Sequence, residues 1–162
     1  RTKRDVGVAV PVIDFDSFMT ADMGENVVVY VSNAQAFDCA LGLTVRKKHV
    51  TIVTPSANKD LDMQQSQHAM RFMTTALYSL GVKVYPGASI KQIGDGQVTI
   101  ATEVGTNVTI DCDAVIDGAE MEPNTALLDG ISVSETYAIG DCNEPFNIAL
   151  AIRSGNDVAR AL

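Results

Sequence analysis

From Glu25 onward the chain alternates between two kinds of hydrophobic pattern. Val27-Val28-Val29-Tyr30-Val31 is a continuous, largely β-branched run, the form of a strand buried on both faces of a parallel sheet. Residues 34–46 then place Phe37, Leu41 and Val45 at helical spacing, and Val50-Thr51-Ile52-Val53 returns to the buried-strand type. Together these segments predict a βαβ unit. Pro55, Ser56 and Asn58 predict a turn, and the polar stretch 59–67 carries no periodicity. Met70, Met73, Leu77 and Leu80 predict a second helix, ended by Gly81 in the position of a C-terminal cap.

After that helix the period changes from helical to two. Val82 to Tyr85, Ile90 to Ile93, Val98 to Ile100 and Val108 to Ile110 read as short alternating strands of an antiparallel meander, with Gly94-Asp95-Gly96 and Gly105-Thr106-Asn107 as turns. Ala114-Val115-Ile116 is again of the buried type. Thr136 to Ile139 predicts a strand leading into Gly140-Asp141, and Ile148, Ile152, Gly155 and Ala159 line one face of a terminal helix. The expected fold class is α/β: a Rossmann-like, mostly parallel sheet with helices on both faces and an inserted antiparallel β-meander.

Composition narrows the function classes. Twenty acidic residues against 12 Lys plus Arg give a formal net charge of -8, so no basic stripe exists for a phosphate backbone, and nucleic acid is not an expected partner. Arg1, Lys3 and Arg4 read as a solvated end. Cys39, Cys112 and Cys142 are odd in number and far apart, which signals neither a disulfide framework nor a zinc site and points to a reducing, cytoplasmic setting. No apolar run approaches the roughly 20 residues of a membrane span, so no membrane partner is expected. The first residue is Arg, which suggests a trimmed chain or a piece of a longer one.

In a sheet of this class ligands sit beyond the carboxyl ends of the strands, which directs attention to residues 31–35 and 54–57. A dinucleotide site normally has three glycines just after the first strand, for the tight turn, for approach of the pyrophosphate and for helix packing. Those positions hold Val31, Asn33 and Ala36. The following helix start still offers N–H groups and a partial positive charge, so Ser32, Asn33, Ala34 and Gln35 are the candidate phosphate contacts. The end of the second strand, where an acidic residue takes ribose hydroxyls, holds Thr54.

The terminal segment carries the most specific pattern: Ala138-Ile139-Gly140-Asp141-Cys142, then Glu144-Pro145, then a helix beginning at Ile148. It delivers a carboxylate to a strand-to-helix junction, where it can accept hydrogen bonds from a cofactor hydroxyl while the helix start faces a phosphate. This segment resembles the carboxyl-terminal flavin-domain motif of the NADH:flavin oxidoreductases related to 2,4-dienoyl-CoA reductase, trimethylamine dehydrogenase and old yellow enzyme. Asp113 to Ile116 followed by Pro123-Asn124, and the connecting residues Phe18 to Gly24, are similar to further parts of that family.

The resemblance implies that Gly140 and Asp141 meet the ribityl chain of FAD and that the helix start at Ile148 approaches the pyrophosphate. It divides the chain into a connecting segment (1–23), a nicotinamide-type dinucleotide-binding domain with a degenerate fingerprint (24–125) and the C-terminal segment of the FAD-binding domain (126–162). In such proteins reducing equivalents pass between NAD(P)H and FAD, then through a 4Fe–4S cluster to FMN in an N-terminal barrel. That barrel and the first half of the FAD domain would be the missing partners, so this chain alone is not expected to turn over. Glu120 and Glu122 depart from the family's turn, where Gly and Arg are usual. The alternative reading is a non-catalytic, degenerate Rossmann-like module with a structural, ADP-binding or subunit-contact role, binding ADP or nothing; homo-oligomerisation is left open.

Other conspicuous residues read as ordinary. Cys142 lacks a neighbouring Cys or His to activate it, His49 and His68 lack a second ligand, and Met70 and Met73 belong to a core face. No catalytic residue and no metal ligand is assigned.

Overall fold

A computed structural model describes residues 9–31, 35–56, 67–118, 122–145 and 147–162; at Val31, Gln35, Ala36, Gln67 and Met70 it describes the backbone alone. The chain divides into two units, 1–119 and 120–162.

In the first unit the valine run forms strand β2 (Asn26–Val31), followed by helix α1 (Gln35–Val45), strand β3 (His49–Val53), helix α2 (Gln67–Ser79) and strand β4 (Lys83–Tyr85). Val27, Val28 and Val29 are all buried, as an unbroken β-branched run requires when both faces of a sheet are covered. Two further parallel strands complete the sheet: β1 (Val12–Asp14), which falls within the segment read as connecting, and β8 (Ala114–Gly118). The order is β1-β8-β2-β3-β4. Between β4 and β8 the chain makes an antiparallel sheet of β5 (Ser89–Gly94), β6 (Gln97–Ala101) and β7 (Asn107–Asp111).

Alternation along the strands sends side chains to two separate cores. Val27, Val29, Ile52, Ala114 and Ile116 meet Phe37, Leu43 and Leu77 of the helices, whereas Val28, Val53 and Val115 meet Val98, Ile100 and Cys112 on the meander side. The α/β class stands. Within the described residues of this unit α1 and α2 share one face, and the meander covers the opposite face, where a second helical layer is expected from sequence.

Two expectations about elements need correction. Residues 83–85 do not belong to the meander; β4 pairs parallel with β3, Ile52 opposite Val84, because the α2 crossover returns the chain in the same direction. Val45 and Leu80, which close the two helical stripes, are exposed, since each lies where its helix gives way to the following turn. Residues 136–139 form no described strand; a strand needs a hydrogen-bonded neighbour, and the second unit has none among its described residues.

Both helix ends are closed in the same manner. After α2, Gly81 at φ +76° donates to the Tyr78 carbonyl and Val82 to that of Leu77, a Schellman closure. After α1, Lys47 adopts φ +61° and donates to Thr44, and Lys48 donates to Leu43. The adjoining cations hold the incoming chain: an Arg46 guanidinium nitrogen donates to the Met19 carbonyl at 3.0 Å and Lys48 Nζ to that of Met23 at 2.9 Å.

The second unit contains 3-10 turns at Ala126–Gly130 and Gly140–Cys142 and helix α3 (Ile148–Ala161). Asn147 caps α3, its side-chain oxygen accepting the Leu150 N–H at 2.9 Å. None of the residues in these three elements is buried. Among the described residues no helix is long and apolar enough to cross a membrane.

Candidate functional site

The first unit has a switch point between β2 and β8: from β2 the chain moves to β3 on one side, and β8 lies on the other. In open α/β sheets the ligand crevice forms where two such neighbours diverge, beyond their carboxyl ends. Here the register brings Val31 opposite Gly118, Tyr30 opposite Asp117, and Asp117 opposite Asp14 on β1. Asp14 is exposed and Asp117 half-buried. Two carboxylates on adjacent strands give this rim a negative potential, which opposes a phosphate.

Of the phosphate candidates, Ser32, Asn33 and Ala34 lie outside the described residues. Gln35 is the first residue of α1. Thr54 follows β3 directly and is 1 % exposed. Its Oγ1 accepts the Ser56 N–H at 3.3 Å, its own N–H donates to the Tyr85 carbonyl at 3.1 Å, and its carbonyl accepts the Ala88 N–H at 2.9 Å. Thr54 thus pins β3 to the start of the meander, and its hydroxyl is committed inside the fold. The ribose position of an NAD-type site therefore has neither a carboxylate nor an available hydroxyl, and the residues described here do not fit that nucleotide.

In the second unit the Gly140–Cys142 turn is clipped to α3. Gly140 sits at φ +67°, a left-handed conformation that favours glycine, and a β-carbon there would come within 3.4 Å of Ala151 Cβ. The Gly140 N–H donates to Ser154 Oγ at 2.8 Å, and that hydroxyl donates to the Ala151 carbonyl at 2.9 Å. The carbonyl of Gly140 accepts from the N–H groups of Asn143 and Glu144, both at 3.0 Å. This network holds Asp141 exposed on a turn fixed against the helix. Ile148 opens α3 and is 79 % exposed. An exposed carboxylate on a fixed turn can accept hydrogen bonds from hydroxyl groups.

Ser154 was not marked by sequence reasoning. Its signal is local only in three dimensions, because the partner of its hydroxyl is 14 residues away across a turn. Glu122 is exposed, while Glu120 lies outside the described residues. Cys39 and Cys112 are buried and Cys142 is exposed, its Sγ 3.0 Å from the Ile139 carbonyl. Burial pushes the Cys39 thiol up to about 12. No group of metal-ligating side chains occurs among the described residues.

No family model matches the chain, and no curated protein matches it. Among solved structures it is similar to histamine dehydrogenase from Rhizobium sp. 4-9, with 24% identity and a TM-score of 0.79 over 94% of this chain and 26% of that one. It is also similar to 2-naphthoyl-CoA reductase in complex with 2-naphthoyl-CoA, with 24% identity and a TM-score of 0.74 over 89% of this chain and 22% of that one. A third similarity is to the HOCl-induced flavoprotein disulfide reductase RclA from Escherichia coli, with 17% identity and a TM-score of 0.66 over 91% of this chain and 38% of that one. The chain spans about a quarter of the length of the first two. What it shares with these oxidoreductases is a Rossmann-like α/β fold.

Proposed function

We propose that the chain is the C-terminal dinucleotide-fold portion of a larger flavin-dependent oxidoreductase of the NADH:flavin type. The single observation that carries this reading is the exposed Asp141 on a turn locked to α3 through Gly140 and Ser154. In this role Asp141 accepts hydrogen bonds from the ribityl hydroxyls of FAD, and the start of α3 at Ile148 faces the pyrophosphate. The flavin supplies the redox chemistry when bound; the protein holds and orients it. The partners are the first half of the FAD domain and a barrel carrying FMN and a 4Fe–4S cluster, and α3 and its neighbours, which bury nothing by themselves, complete their core against that missing half.

The test is to purify the complete polypeptide from its full reading frame and measure its bound flavin by absorbance and by release on denaturation. Stoichiometric FAD that falls severalfold in Asp141→Ala supports the reading. A complete polypeptide without flavin, or a variant that retains it fully, overturns it.

A second reading is favoured by Thr54: a domain of dinucleotide-binding fold kept for packing, with no working NAD(P)H pocket. Calorimetric titration of the chain with NADH, NADPH and ADP decides it. Micromolar binding of either reduced nicotinamide nucleotide sinks this second reading; heat from ADP alone would restrict the pocket to an adenine nucleotide.

A further inference from the structure

Among the described residues the two sheets of the first unit end on β1, β4, β5 and β7, and all but the last of these edges are blunted. β1 and β4 are three residues long, β1 following Pro11 and β4 beginning with Lys83, and β5 is bulged between Ile90 and Gln92. Short strands, Pro, Lys and bulges all hinder pairing with another chain. β7 has none of these devices. Asn107-Val108-Thr109-Ile110-Asp111 is regular along its five residues and opens onto a groove of about 420 Å³ lined in part by Thr109, Ile110 and Asp111.

The hydrogen bonds at either end of β7 fix which of its groups face outward. The Cys112 N–H donates to the Gly96 carbonyl and the Thr102 N–H to that of Thr106, so in this ladder the even-numbered residues of β7 exchange bonds with β6. Asn107, Thr109 and Asp111 therefore turn their N–H and C=O groups to the outer edge. No hydrogen bond from another described element reaches those groups. The side chains of the same residues are exposed, while Val108 and Ile110 are half-buried on the core face.

This edge is complementary to itself. Paired antiparallel with its own copy about Thr109, every outward N–H and C=O of Asn107, Thr109 and Asp111 meets a group of the opposite kind. On the exposed face Thr109 meets Thr109, and each Asn107 amide can donate to the Asp111 carboxylate of the other copy. On the core face Val108 meets Ile110. The two Asp111 carboxylates fall at opposite ends of the seam, so chains of net charge -8 set no like charges face to face along it.

We propose that β7 is a contact between two copies of this chain, joining their meanders into one antiparallel sheet across a twofold axis at Thr109. Two five-residue strands bury less than the roughly 1,200 Å² of a standard interface, so the association is weak and reversible. It uses neither the Asp141 turn nor the start of α3 and does not depend on the flavin reading.

Sedimentation of the full 162-residue chain from about 10 μM to about 1 mM covers the range of weak contacts. A reversible equilibrium between monomer and dimer is the expected result. Thr109→Lys, which sets two cations face to face at the axis, should weaken it about tenfold or more. Thr109→Pro, which removes the outward N–H at an edge where proline is tolerated, should do the same. Both variants should keep the circular-dichroism spectrum of the parent. Ile152→Asp, on the exposed face of α3, should leave the equilibrium unchanged. A chain that stays monomeric throughout, a dimer that survives either Thr109 variant, or one that Ile152→Asp disrupts overturns the proposal.

Discussion

The carboxylate of Asp113 receives two hydrogen bonds from Asn26, one from its backbone N–H at 2.8 Å and one from Nδ2 at 3.0 Å, while the Asp113 N–H donates to the Asn26 carbonyl at 2.7 Å. These residues stand at the entrances of β8 and β2, the two strands that flank the switch point. Gly24 packs against the same side chain so closely that a β-carbon on it would lie 2.3 Å from Asp113 Cβ. Hydrogen bonds to charged groups contribute about 1.5–3 kcal/mol. Asp113→Ala should therefore lower the unfolding free energy by about 2 kcal/mol, and Gly24→Ala, which forces the strand entrances apart, by about 1–3 kcal/mol. Denaturant midpoints for both variants check this; an unchanged midpoint in Asp113→Ala refutes it.

The two Schellman closures use different residues for the same left-handed turn. An L side chain pays roughly 1–2 kcal/mol there, so Lys47→Gly should raise stability by up to about 1 kcal/mol and Gly81→Ala should lower it by a similar amount. Thermal melts of the pair should move in opposite directions.

Cys39, with its thiol pushed up to about 12, and buried Cys112 should resist alkylation in the native chain, leaving Cys142 as the thiol that iodoacetamide modifies. Mass spectrometry should find a single adduct per folded chain, with the others appearing on denaturation. The raised folded value also fixes a sign. In the unfolded chain the thiol ionises near its ordinary value of 9.0, so its contribution to stability is complete below that pH and is lost as pH rises toward about 12.

Ser154→Ala removes the acceptor of the Gly140 N–H without altering the α3 backbone. Hydrogen exchange at Gly140 should accelerate severalfold, and on the proposed flavin role FAD should bind more weakly to the complete polypeptide while Asp141 remains in place. Unaltered exchange would mean that the turn is held by the Asn143 and Glu144 bonds alone.

The central strands were legible because their signal is local. The run Val27–Val31 and the segment Val50–Val53 announce two-faced burial from composition, and Gly81 announces its cap. The misplaced elements are those whose state is decided by distant partners. Val12–Asp14 is three residues long and is a strand only because residues 115–117 lie beside it. Lys83–Tyr85 alternates as a meander strand would, and its assignment to the parallel sheet comes from the α2 crossover. Thr136–Ile139 has strand composition and no strand to pair with among the described residues of its own unit. At the site, Gly140 and Asp141 stood out by their pattern, whereas the burial of Thr54 and the Ser154 clip arise from contacts that no spacing in the chain encodes.

The placement of β8 between β1 and β2 also sets an order of events during synthesis. Until residue 118 has left the ribosome, one flank of the valine strand and the whole of Val12–Asp14 have no ladder to join. A nascent chain stalled before that point exposes an apolar strand border able to recruit another chain. The stretch of translation from Val31 to Gly118 is therefore the interval in which a holdase chaperone would matter most.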